Sequence, residues 1–134
     1  MAKTNSKKVK RGLARSIPER EDDIQAAVVA HLTLRCPPIC YWFHVPNGGS
    51  RHVVEAAKFK RMGVRAGVAD LVLVIGGKAH FLELKTSRGK QSASQVVASS
   101  MVERAGGVYA VARGVDEALG TLEKWGALAG ARPR

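Results

Sequence analysis

The chain has 134 residues, with 22 Lys and Arg against 11 Asp and Glu, a formal net charge of +11. Hydrophobic residues make up 46% and charged residues 25%, which suits one folded globular domain and excludes a wholly disordered chain. No run of uncharged apolar residues is long enough for a transmembrane helix, the basic first residues lack a signal-peptide core, and two cysteines cannot frame a disulfide scaffold, so a reducing cytoplasm is expected. A pI near 10.3 points to a polyanionic partner, most simply nucleic acid, and not to a membrane.

The charge is gathered at the ends. Lys3, Lys7, Lys8, Lys10, Arg11 and Arg15 stand together with no acid among them, and Arg132 and Arg134 close the chain. Without those eight, residues 16–131 carry 14 basic against 11 acidic side chains, a net of +3. The expected organisation is a basic arm over 1–15, a single domain over 16–131 and a basic tail over 132–134. The arm reads as an electrostatic tether for phosphates, since counterion release requires charge and no fixed structure.

Ser16-Ile17-Pro18-Glu19 has the form of a capping box, and Ile24, Ala27, Val28, His31 and Leu32 repeat at helical spacing, predicting a helix from Pro18 to Leu34. Tyr41 to Val45 is aromatic and β-branched and reads as a strand ended by Pro46. After the loop Asn47-Gly48-Gly49-Ser50, residues Arg51 to Met62 read as a helix, with Val53, Ala57 and Met62 as its apolar residues. Ala69 to Ile75 is a strong strand, Gly76-Gly77 a hairpin turn, and Lys78 to Lys85 the returning strand. Ser92 to Ala105 reads as a helix, with Val97, Ala98, Met101, Val102 and Ala105 on its apolar face. Val108 to Val111 reads as a strand and Val115 to Trp125 as a last helix. The predicted order is α-β-α-β-β-α-β-α, a mixed α/β sheet flanked by helices.

The hairpin permits a geometric derivation. With Gly76 and Gly77 as a two-residue turn, partners across it sum to 153, so Asp70 lies opposite Glu83 with Cβ atoms about 4.5–5.5 Å apart. Lys85 falls on the same face because strand side chains alternate. Both faces of the hairpin are otherwise apolar, which predicts burial by helices on both sides. Two opposed carboxylates repel each other and are costly to desolvate, so something positive must compensate. Two readings stand: Lys85 alone, as a structural ion triad, or a divalent cation, for which hard oxygen ligands suit Mg²⁺ or Mn²⁺.

Gly67-Val68-Ala69-Asp70, an apolar strand and then Glu83-Leu84-Lys85 resemble the PD-(D/E)xK nuclease motif, with Ala69 where the motif often has proline. Glu21-x-x-Ile24-Gln25, His44-x-Pro46-Asn47-Gly48, Gly63 and Ser92-x-x-Gln95 extend the resemblance to a stand-alone VRR-NUC domain over residues 19–120. The resemblance implies a restriction-endonuclease-like fold, with Asp70, Glu83 and the backbone carbonyl of Leu84 as metal ligands and Lys85 beside the attacking water. It also implies that Glu21 completes the site, directly or through water, although an acid there equally complements the helix dipole. Gln95 is implied beside a phosphate or the attacking water, while Ser92-x-x-Gln95 also reads as a capping box. The implied activity is that of a Mg²⁺- or Mn²⁺-dependent DNA endonuclease, like the dimeric Holliday-junction resolvases of bacterial or phage-infected cells. Alternatives are a nicking or flap-type nuclease and a non-catalytic nucleic-acid-binding module.

Weaker signals complete the reading. Arg51, Lys58, Lys60, Arg61 and Arg65 form a basic run beside the motif strand, either a solvated face or a backbone-binding one. His44 and Asn47 are candidate DNA contacts at the edge of the site. His31 reads as a core or interface histidine. Cys36-x3-Cys40-x3-His44 lacks a fourth zinc ligand, and reduced structural cysteines are the better reading.

Overall fold

The computed structural model describes residues 19–46 and 53–133. Ser16 and Pro18, the basic arm with Lys7, Lys8, Lys10 and Arg11, and the loop residues Asn47 and Arg51 lie outside the described residues.

The first helix, α1 (Glu21–Arg35), starts later than the spacing predicted, at an extended Arg20 whose carbonyl accepts the Ile24 N–H. Glu21, Asp22 and Asp23 put negative charge in its first turn, and Ile24, Val28 and Leu32 form its buried stripe. It stops where Cys36 turns extended ahead of Pro37, as a residue before proline must. Strand β1 (Cys40–His44) follows, then α2 (Val53–Arg61), β2 (Leu71–Ile75), β3 (Lys78–Lys85), α3 (Ala93–Arg104), β4 (Val108–Arg113) and α4 (Val115–Trp125). The sheet order is β1-β2-β3-β4, with β1, β2 and β3 antiparallel and β4 parallel to β3 through the α3 crossover. Element order and mixed sheet agree with the reading of the sequence. Among the described residues no helix is long and apolar enough to cross a membrane.

The two faces of the sheet are covered unequally. Leu71, Leu73, Leu82 and Leu84 point into one core with Ile24, Val28 and Leu32 of α1 and Ala118, Leu119 and Leu122 of α4. Each such leucine contributes about 1.5–3 kcal/mol by leaving water. The opposite face departs from the expectation of full burial. Helix α3 packs along β4, contains no buried residue, and leaves Val97 58% and Met101 45% exposed. Val74 in mid-strand is 40% exposed. Between α2, α3 and this face runs an apolar groove of about 1400 Å³, lined in part by Phe59, Phe81, Val97, Met101 and Tyr109.

The C-terminal residues are tied down on the opposite side. Buried Arg35 donates to the carbonyls of Ala129 and Gly130 and pairs with Glu123 at 2.9 Å. Arg132 pairs with Glu123 and Asp116. Hydrogen bonds from Arg132 and Arg35 hold the Glu123 carboxyl down to about 2. Leu119 and Leu122 of α4, and Leu128 just beyond it, are buried in the core.

Candidate active site

The site is built by the hairpin. Gly76 and Gly77 both have positive φ, +57° and +82°, the conformation that a two-residue hairpin turn requires and that glycine adopts without steric cost. The observed pairs, Leu71 with Leu82, Val72 with Phe81 and Ile75 with Lys78, follow the derived register. Asp70 stands one residue before β2, in register with Glu83. Its Oδ2 accepts the Leu84 N–H at 2.7 Å. Its backbone carbonyl accepts the Val45 N–H at 2.9 Å and the His44 Nδ1–H at 2.7 Å. Asp70 is therefore fixed by β3 through its side chain and by the β1 end through its main chain.

Glu83 is fully buried, at 0% exposure. The Tyr109 hydroxyl donates to its Oε1, while Oε2 is buried without a hydrogen-bond partner. The nearest positive charge is Lys85 Nζ, 3.9 Å from Oε2 and itself buried. That separation exceeds a hydrogen bond, so the lysine compensates the charge only from a distance. Burial and the adjacent Glu83 carboxylate push the Tyr109 phenol above its ordinary value, so it remains a donor.

Two tight packings hold the surroundings. Gly89 lies on the Lys85 stem, where an added Cβ would come within 3.1 Å of Lys85 Cβ and 3.2 Å of Cδ. Arg113 Nε donates to the Gly89 carbonyl at 3.2 Å, tying this loop to the end of β4. Gly67, at φ +79°, sits so near the first turn of α3 that a Cβ would fall 2.2 Å from the Ser94 carbonyl oxygen. Only glycine lets the segment leading to Asp70 lie there.

Other sequence candidates fall as follows. Gln95 completes a capping box: its N–H donates to Ser92 Oγ at 3.2 Å, and its Oε1 accepts the Ser92 N–H at 2.8 Å. Glu21 is exposed at the first residue of α1. Among the described residues no three His, Cys, Asp or Glu side chains gather as a metal-ligand cluster, so Glu21 is not brought together with Asp70 and Glu83. Lys58, Lys60 and Arg61 are exposed on α2, with Lys60 on the groove wall, and Arg65 donates to Met101 Sδ across the groove. His31 is half-buried and accepts from Arg35. The Cys36 thiol donates to the Cys40 carbonyl, and burial together with Cys36 pushes the Cys40 thiol up to about 12, which suits inert reduced cysteines.

Tyr109 is the residue that the sequence reading missed. Its strand was legible, but reaching Glu83 depends on the parallel register of β4 on β3, for which no local signal exists. The donor set suits a hard divalent cation: two carboxylates meet there, one with a buried oxygen that no protein donor satisfies.

Comparison with protein-family models gave no match, and comparison with curated proteins gave none. Among solved structures, one described as a VRR_NUC domain protein superposes with a TM-score of 0.68 at 25% identity, covering 84% of this chain and 93% of that chain. A mixed four-stranded sheet with flanking helices and an acidic hairpin defines the restriction-endonuclease-like α/β class. More narrowly, the fold is that of a VRR-NUC nuclease domain.

Proposed function

We propose that the chain is a Mg²⁺-dependent, structure-selective DNA endonuclease that hydrolyses phosphodiester bonds and acts as a homodimer on four-way junctions. The observation that carries this reading is the buried Glu83 carboxylate, with Oε2 unsatisfied, in register with Asp70 and beside Lys85. An ion triad closed by Lys85 alone would leave that oxygen at a cost of several kcal/mol.

Asp70, Glu83 and the carbonyl of Leu84 would hold Mg²⁺ or Mn²⁺; Glu21, exposed at the start of α1, is left out of this set. The bound cation would lower the pKa of a water and neutralise charge on the phosphorane-like transition state. The Leu84 N–H fixes Asp70 Oδ2 in place before substrate arrives. Lys85, its stem packed against Gly89, would hold its amine beside the attacking water, to orient it as an ammonium or to take its proton as the neutral amine. Lys58, Lys60 and Arg61, with the basic arm, would contact phosphates and set position without reading bases.

A homodimer is supported by the apolar surface left around the groove, where Val97 and Met101 are half-exposed. Two sites related by a twofold axis would match paired cuts in strands of like polarity.

The test is incubation with labelled four-way junction, flap and linear duplex, in Mg²⁺ and in EDTA, with light scattering to count subunits. Paired symmetrical nicks on the junction, made by a dimer and absent in EDTA, are expected. Single nicks from a monomer would favour the nicking or flap-type reading. DNA binding without any cleavage would favour a non-catalytic module.

A further inference from the structure

We propose that Tyr109 is a positioning residue for the candidate site: its hydroxyl sets the rotation of the Glu83 carboxylate, so that Oε2 is the oxygen left for a cation. This rests on the nuclease reading above and adds a residue outside the Asp70, Glu83 and Lys85 set.

The argument begins with register. In the parallel pair of β3 and β4, Phe81 stands beside Tyr109 and Glu83 beside Val111, so Tyr109 lies on the Glu83 face but two residues short of it. Two residues of strand span about 6.6 Å. A tyrosine leaning along its strand covers that distance with a rigid ring and delivers a donor at the far end, whereas serine or threonine would fall short. Phenylalanine would fill the same space and deliver nothing.

A glutamate carboxylate rotates freely about its last torsion, so burial alone does not decide which oxygen faces the site. The Tyr109 hydrogen bond removes that freedom by engaging Oε1. The other oxygen is left buried and unpartnered, with Lys85 Nζ at 3.9 Å.

A purely structural role for Tyr109, as part of the groove wall, would be filled equally well by phenylalanine, and this separates the alternatives. The full chain carrying Tyr109→Phe is compared with the parent by Mn²⁺ titration followed by electron paramagnetic resonance, by thermal melting and by single-turnover DNA cleavage. Residues that orient a metal ligand typically change affinity or rate by about 10- to 100-fold. Tyr109→Phe is expected to melt as the parent does, to bind Mn²⁺ about tenfold more weakly, and to cleave about tenfold more slowly with DNA affinity unchanged. A folded Tyr109→Phe protein with parental Mn²⁺ affinity and rate would overturn the inference and leave the nuclease reading standing. A parent that neither binds Mn²⁺ nor cleaves would overturn both. Should Tyr109→Phe fail to fold, a Mn²⁺-soaked crystal of the parent decides: the ion on Glu83 Oε2 with the Tyr109 hydroxyl on Oε1 supports the inference, and an ion on Oε1 or on both oxygens overturns it.

Discussion

The two faces of the sheet are made from alternate residues of the same strands, yet they are built for different ends. On one, Leu71, Leu73, Leu82 and Leu84 meet α1 and α4 in a closed apolar core. On the other, Asp70, Glu83 and Lys85 stand among apolar residues that α3 only partly covers, leaving Val74 and the groove open. The comparison teaches that the closed face supplies the stability against which the other can hold a buried, incompletely satisfied carboxylate. With a net stability of about 5–15 kcal/mol for a domain, such a carboxylate is tolerable only where the opposite face is well packed.

The largest expected effect belongs to the open face. Asp70→Asn and Glu83→Gln should each reduce Mg²⁺-dependent cleavage by about 10³-fold or more. DNA affinity in gel-shift assays should hold or rise, because each change removes a negative charge that repels phosphate. Full activity of either variant would dissolve the distinction between the faces.

The next contrast sets the faces against each other in stability. Leu82→Ala should cost about 2–5 kcal/mol in urea unfolding. Val74→Ala, on the same hairpin but exposed, should stay within about 0.5 kcal/mol. Equal costs would mean that the open face is covered in solution, as a second copy of the chain would cover it.

How much of this was legible follows the range of each signal. The hairpin is readable because Gly76-Gly77 dictates both turn and register, which puts Asp70, Glu83 and Lys85 on one face from the sequence alone. The last helix, Val115–Trp125, was readable to its bounds, with Asp116 and Glu117 in its first turn. Non-local facts were not. Tyr109 reaches Glu83 through a parallel pairing set by the α3 crossover. Glu21 shares a helical spacing with Ile24 and Val28, but the first turn of α1 lies beyond the packed stripe and Glu21 is exposed. Val97 and Met101 have the pattern of a core face, and nothing in that pattern shows how far α3 covers the sheet.

The smallest effect concerns Gln95. Its N–H and Oε1 are both engaged with Ser92, so Gln95→Ala should cost about 0.5–1 kcal/mol of stability through the lost cap. Single-turnover cleavage should change by less than about threefold, under 1 kcal/mol in barrier height. A much larger loss of rate without loss of stability would assign this side chain to the open face's chemistry.

The central claim is that the open face holds a divalent cation between Asp70 and the free oxygen of Glu83. It is tested most directly by an anomalous-difference map from crystals soaked in Mn²⁺. The account predicts one peak within bonding distance, about 2.1–2.3 Å, of an Asp70 carboxylate oxygen and of Glu83 Oε2, with Tyr109 still on Oε1. A map without a peak there, showing Lys85 Nζ drawn into hydrogen-bond contact with Glu83 Oε2 instead, would contradict it.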